Sequence, residues 1–213
     1  MTAVPRLHVV TDDEVLTRSD FEQQARALFE TAGPALAFHL RGPRTSGRRL
    51  YDLALALKTP ADEAGSVLIV NDRVDVAVGA GLNAVHLGRR SLCPTDVSRF
   101  AGRLRLGSSC HGACEVVEAR GFGASWIILG NLFETATHPD REGLGVDRLK
   151  ILVEAAGSVP VLAIGGVTPA RVEAVLRSGA HGIAVLSGIW STGSPRADTS
   201  KYISALEAFA GGA

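Results

Sequence analysis

Two short segments carry the residue types that hold a phosphate: Gly165-Gly166-Val167 and Ser187-Gly188-Ile189, each following an apolar run. Glycine lets the main chain approach an oxyanion, and backbone N–H groups or a serine hydroxyl then donate to it. The plainer alternative is a tight turn at the glycines and a local cap at Ser187. Arg41 closes another apolar run, and its planar guanidinium matches a carboxylate or a phosphate. An ion pair with Asp12 or Asp72 is the structural alternative for it. Candidates for proton transfer are His111, His138, Glu134, His39 and His86, because imidazole titrates at about pH 6.5. His86 lies inside an apolar run, where a packed, hydrogen-bonded role is expected. His138 falls in the long polar segment from Asn131 to Gly145, which has the length of a lid. Cys110, His111 and Cys114 lack the paired C-x-x-C spacing of structural zinc, and helix packing is the expectation for Cys114.

Such residues need a frame. Eight apolar or β-branched runs are read as strands: Leu7–Val10, Ala35–Leu40, Ser66–Val70, Ala84–Leu87, Arg105–Ser108, Trp126–Leu129, Val159–Ile164 and Gly182–Leu186. Amphipathic stretches follow them: Ser19–Thr31, Ser46–Leu57, Arg73–Gly79, Pro94–Ala101, Gly112–Arg120, Val146–Ala156, Pro169–Ser178 and Thr199–Phe209. Thr168-Pro169 reads as an N-cap with proline at the first helical position, and Gly179 as the stop. Strict βα alternation with runs apolar on both faces predicts a parallel sheet. Eight repeats in 213 residues match a closed (β/α)8 TIM barrel, a fold of about 200 to 250 residues, spanning 1–213 as one domain. An open doubly wound sheet is disfavoured, since Thr11-Asp12-Asp13 rather than a glycine-rich turn follows the first run. In a barrel the reactive residues sit where strands end. Those exits hold Arg41, Asn71, Ser109, His111, Asn131, Thr135, Gly165, Gly166, Ser187 and Gly188, while His181 falls at the opposite face and is expected to be silent.

Composition narrows the class. Apolar residues at 46% and charged residues at 21% suit a folded α/β chain and exclude intrinsic disorder. Twenty-two basic and 22 acidic side chains cancel, so neither a nucleic acid nor an anionic membrane is an expected partner. Without a spanning-length apolar run or a signal-like N-terminus, a cytoplasmic location is expected. Three cysteines, Cys93, Cys110 and Cys114, are read as reduced thiols.

In order along nearly the whole chain stand Asn71-Asp72-Arg73-Val74-Asp75-Val76-Ala77, Val85-His86-Leu87-Gly88, Ser109-Cys110-His111, Gly130-Asn131-Leu132-Phe133-Glu134-Thr135, Val161-Leu162-Ala163-Ile164-Gly165-Gly166-Val167 and Ala184-Val185-Leu186-Ser187-Gly188-Ile189. This series resembles the thiamine phosphate synthases and their relatives, the TenI-type thiazole tautomerases. The resemblance to the synthase implies condensation of a pyrimidine methyl pyrophosphate with a thiazole phosphate, with Mg2+ as cofactor and Asp72 as one ligand. Departures accompany it. The synthase's Gly-Gln-x-Asp corresponds to Gly88-Arg89-Arg90-Ser91, its Gln-Leu-Arg-x-Lys to His39-Leu40-Arg41-Gly42-Pro43, and its Thr-x-Thr-Lys to Thr135-Ala136-Thr137-His138. An acidic ligand and two lysines are thereby lost, and a hard cation next to two arginines is disfavoured.

The resemblance to the tautomerase, carried also by Phe133-Glu134-Thr135, implies a metal-free proton shift that aromatises a carboxythiazole phosphate. Its working histidine corresponds to Asn131 here. The expectation from sequence is therefore an isomerase without cofactor, acting on a small phosphorylated thiazole. Gly165, Gly166, Ser187 and Gly188 would hold the phosphate, Arg41 the carboxylate, with Asn71, Ser109, Asn131 and Thr135 around the ligand and His111 or His138 moving the proton. The alternatives are the synthase itself, or a catalytically silent binder of such phosphates. A homo-oligomer is compatible with all three.

Overall fold

In the computed structural model, residues 3–89, 91–134 and 143–210 are described. Eight parallel strands close in sequence order: β1 Leu7–Val10, β2 Leu36–Leu40, β3 Val67–Asn71, β4 Ala84–Leu87, β5 Arg105–Cys110, β6 Trp126–Leu129, β7 Val161–Ile164 and β8 Gly182–Val185, with β8 pairing back onto β1. The expected TIM barrel is the fold. Its helices are α1 Asp13–Leu16, α2 Phe21–Ala32, α3 Gly47–Glu63, α4 Val74–Gly79, α5 Pro94–Phe100, α6 Ala113–Gly121, α7 Gly145–Ala156, α8 Val172–Arg177, α9 Ser187–Trp190 and α10 Pro195–Ala210.

Strand side chains alternate between two cores, as a period of two requires. Leu7, Val9, Phe38 and Leu40 face the helices and join the larger cluster. Val10, Ala37, Ile69, Ala84, Trp126, Ile128, Leu162 and Ala184 fill the barrel. Trp126 is fitted by Gly107 on the neighbouring strand, where a Cβ would lie 2.1 Å from the indole. Strand β5 runs two residues beyond its predicted end, because Ser109 and Cys110, neither β-branched nor aromatic, pair with Ile128 and Leu129 of β6.

Other boundaries shift for identifiable reasons. Helix α3 continues to Glu63 through Pro60, past its predicted end at Leu57. Proline cannot donate to the carbonyl of Ala56, and Arg26 Nη2 takes that oxygen instead at 3.1 Å. The predicted helix from Pro169 begins as a 3-10 turn, Pro169–Arg171, before α8, and the Thr168 side chain makes no cap bond. Helices α1 and α9, four residues each, are too short to show a period in sequence. Among the described residues no helix is long and apolar enough to cross a membrane.

Candidate functional site

At the C-terminal ends of the strands lies a cleft of about 420 Å³. Arg41, Asn71, Ser109, His111, Asn131, Gly165, Gly166, Ser187 and Gly188, all read from the sequence, line it together. Thr135 and His138 lie outside the described residues, as does most of the segment proposed as a lid.

One wall is built by β7 and β8. Gly165 and Gly166 have φ of +104° and +62°, a region that favours glycine. Space demands glycine too, since a Cβ on Gly165 would sit 1.7 Å from Asn131 Oδ1 and one on Gly166 2.8 Å from Phe133 Cβ. The loop is tied down on both sides. Phe133 N–H donates to the Gly165 carbonyl (3.0 Å), and Arg171 Nη1 donates to the Gly166 carbonyl (2.8 Å) while its guanidinium lies 4.6 Å from the Phe133 ring centre. With the carbonyls engaged, the N–H groups of Gly166, Ser187 and Gly188 donate to no backbone carbonyl among the described residues. Gly188 is required by Tyr202, whose hydroxyl would lie 2.2 Å from an added Cβ and which donates to the Val167 carbonyl at 2.9 Å. Burial pushes that phenol up to about 12, so it stays neutral. An unliganded row of amides beside a serine hydroxyl is chemically an anion cradle.

The facing wall is polar in a different way. The Arg41 N–H donates to Thr11 Oγ1 at 2.9 Å, fixing the backbone from which its side chain enters the cleft. Neither aspartate considered as its partner pairs with it among the described residues. Asp12 caps α1 by accepting from Val15 N–H at 2.9 Å, and Asp72 turns elsewhere. Asn71 Oδ1 lies 2.8 Å from His39 Nδ1, and Ser109 Oγ lies 2.9 Å from His86 Nε2. Both histidines are buried, and with them His8. Burial pushes all three below the usual imidazole range, His39 to about 4. His39, entertained as a proton carrier, is thereby a neutral interior group. His86 is packed as expected, stacked on Trp126 with centroids 6.0 Å apart.

His111 is the described histidine at the rim with solvent access. Its N–H donates to Glu115 Oε2 at 2.6 Å, and its Nδ1 is 3.2 Å from the same oxygen, so a proton on Nδ1 leaves Nε2 bare. Glu115 was not visible as a partner in the sequence, nor were Arg171 and Tyr202. Glu115 and Tyr202 stand on helices and Arg171 on the 3-10 turn before α8, and only the closed barrel carries them to the mouth. His181 bonds the Val4 carbonyl at 2.8 Å, beside β1's entry and away from the cleft.

Magnesium, which the resemblance to the synthase implies, meets a poor donor set. Asp72 takes a left-handed φ of +64° so that Oδ1 accepts from Gly88 N–H (2.8 Å) and from the Ser91 hydroxyl. Arg89 lies on the same loop and reaches toward Glu115 at 4.0 Å. Among the described residues no three His, Cys, Asp or Glu side chains form a group able to hold a metal; Cys110 is a buried free thiol, and Cys114, expected to pack its helix, is instead an exposed one. One committed carboxylate beside a guanidinium does not make a dedicated cation site.

Comparison with known proteins follows the same lines. The family model for thiamine monophosphate synthase matches residues 7–189. Thiamine-phosphate synthase of Chloroflexus aurantiacus is 37% identical over 187 residues, covering 86% of this chain and 84% of that protein. The enzyme of the same name from Methanoculleus marisnigri is 37% identical over 193 residues, covering 88% of each. A thiamine phosphate pyrophosphorylase structure from Pyrococcus furiosus superposes with a TM-score of 0.84 at 27% identity over 96% of both chains. These relatives carry the names of transferases. They favour the synthase alternative over the isomerase that the motifs put first.

Proposed function

Because this chain belongs to the thiamine monophosphate synthase family, we propose that its barrel mouth binds a thiazole phosphate and joins it to a pyrimidine methyl pyrophosphate. The observation that carries the ligand half is the row of amides at Gly166, Ser187 and Gly188 that donate to no backbone carbonyl among the described residues. The reaction class rests on the relatives' names. In the transfer, the thiazole nitrogen forms a bond to the methylene carbon while the carbon–oxygen bond breaks and its electron pair leaves with pyrophosphate. Anchoring the thiazole's phosphate sets the distance between nitrogen and carbon, which is worth more than any single contact in a bimolecular step. Arg41, on the opposite wall, offsets the charge that develops on the leaving group. No step is assigned to a cation.

Incubating the purified protein with both halves, with and without Mg2+, and oxidising any thiamine phosphate to its fluorescent product tests the reading. Product above a protein-free control is expected, falling at least tenfold in Arg41→Met. Absence of product under both conditions contradicts the transfer.

A second reading is favoured by one observation, the His111–Glu115 pair at the rim beside an unsuited metal site. It is the metal-free aromatisation of a carboxythiazole phosphate, with His111 Nε2 carrying the proton. Ultraviolet absorbance during incubation with the exocyclic isomer tests it, and no acceleration over buffer removes it. Tight binding without turnover in either assay would leave a silent binder.

A further inference from the structure

Three of the inward positions of this barrel are histidines, and they touch. His8 Nδ1 lies 2.8 Å from His39 Nε2, whose Nδ1 lies 2.8 Å from Asn71 Oδ1. Centroids of His39 and His86 are 5.4 Å apart, and Trp126 packs 5.9 Å from His8 and 6.0 Å from His86. The proton order follows from the partners. Asn71 Oδ1 only accepts, so His39 Nδ1 carries a hydrogen. A neutral His39 then has a bare Nε2, which must accept from His8 Nδ1–H. His8 in turn keeps Nε2 bare, and that atom is buried without a hydrogen-bond partner among the described residues. A buried lone pair left alone costs less than a buried N–H left alone.

His86 repeats the logic independently. Its Nδ1 is likewise buried without a partner among the described residues, so the hydrogen sits on Nε2 and is donated to Ser109 Oγ. Consequences appear at the cleft, which Asn71 and Ser109 both line. With its oxygen engaged from below, Asn71 presents Nδ2–H to the mouth, and Ser109 has its own O–H free to turn the same way.

We propose that His8, His39 and His86 are positioning residues whose proton order makes Asn71 and Ser109 hydrogen-bond donors toward the cleft. With Arg41 they form a donor-only wall that selects a ligand group able only to accept, such as a carboxylate or a second phosphate. The ligand side of this inference rests on the transfer proposed above, whose pyrophosphate leaving group is such an acceptor. The tautomer side does not.

Nitrogen-15 NMR of the histidine rings in the ligand-free protein at pH 7 tests it. The expected spectrum has His8 and His39 as neutral Nδ1–H tautomers and His86 as the Nε2–H tautomer. An Nε2–H tautomer at His39 would reverse the chain, turn Asn71 Oδ1 to the mouth and overturn the proposal. Two variants add a functional readout. His39→Asn keeps a donor near the Nδ1 position, whereas His39→Leu removes it. Calorimetry should give an inorganic pyrophosphate Kd within about threefold of wild type for the first and raised about tenfold for the second, the size of one lost hydrogen bond. Equal weakening in both variants, at matched thermal stability, would mean that His39 serves only to pack. If His39→Leu fails to fold, the ring spectrum alone decides. If the unaltered protein fails to bind pyrophosphate while the tautomers stand as expected, the proposed function falls and the proton order remains.

Discussion

At the scale of single residues, the cleft wall after β7 demands glycine through both conformation and space. Gly166→Ala would place a Cβ 2.8 Å from Phe133 Cβ and the Glu134 carbonyl at a φ of +62°. A stability loss of about 1–3 kcal/mol is expected from the strain, and loss of phosphate binding is expected beyond it. Chemical denaturation and calorimetry check the two parts separately. Unchanged binding with unchanged stability would contradict the cradle. Much of this was legible beforehand, since Gly165, Gly166, Ser187, Asn71 and Arg41 stand where strands end and strand ends follow from alternation alone. What escaped were partners. Glu115 behind His111 and His39 behind Asn71 come from other elements, and no spacing along the chain announces a contact across a barrel. His39 was read as a proton carrier because residue type shows titratability and not burial.

Elements tell a similar story. Sequence periodicity finds the strands to within two residues and predicts their closure, because each buries two faces and cannot hide its pattern. It stops short at β5, where Ser109 and Cys110 pair with β6, and at α3, where Pro60 is tolerated because Arg26 takes the oxygen it frees. Both cases turn on one tertiary contact overriding a local preference. Gly107→Ala tests the fit of Trp126 against β5. An added Cβ 2.1 Å from the indole forces repacking of the barrel interior, expected to cost about 2 kcal/mol and to lower Tm by about 5 °C in a chain of this size. A Tm within one degree of wild type would show that the interior gives way freely. In the 3-10 turn before α8, Arg171 links the β7 loop to Phe133. Arg171→Ala should weaken phosphate binding about threefold to tenfold through a looser cradle, with little change in Tm because the side chain is exposed.

For the molecule as a whole, three neutral histidines at the centre of the barrel make stability depend on pH. Unfolded, each titrates at about 6.5. Folded, all three are held lower, His39 at about 4, by burial. Between those values the unfolded chain binds more protons, so stability is fully present above about pH 6.5 and is lost as pH falls toward 4, by at most about 1.4 kcal/mol per pH unit for each histidine. Urea unfolding at pH 7.0 and 5.5 isolates this from the carboxylates, since Asp13, Asp75 and Asp198 are held below their ordinary range and stay ionised in the fold. A falling midpoint is expected, and a flat one would contradict neutral, buried imidazoles. Charge gives no comparable handle, for 22 acidic and 22 basic side chains leave no net field to draw a substrate in from afar. Recognition must then be local, by the amides of one wall and the donors of the other.

That local grip is the centre of the account, and a crystal structure of the protein soaked with thiazole phosphate examines it most directly. The phosphate should lie within hydrogen-bonding distance of the Gly166, Ser187 and Gly188 N–H groups with the ring turned toward Asn71 and Ser109. A phosphate bound elsewhere, or a cleft that stays vacant at saturating ligand, would contradict it.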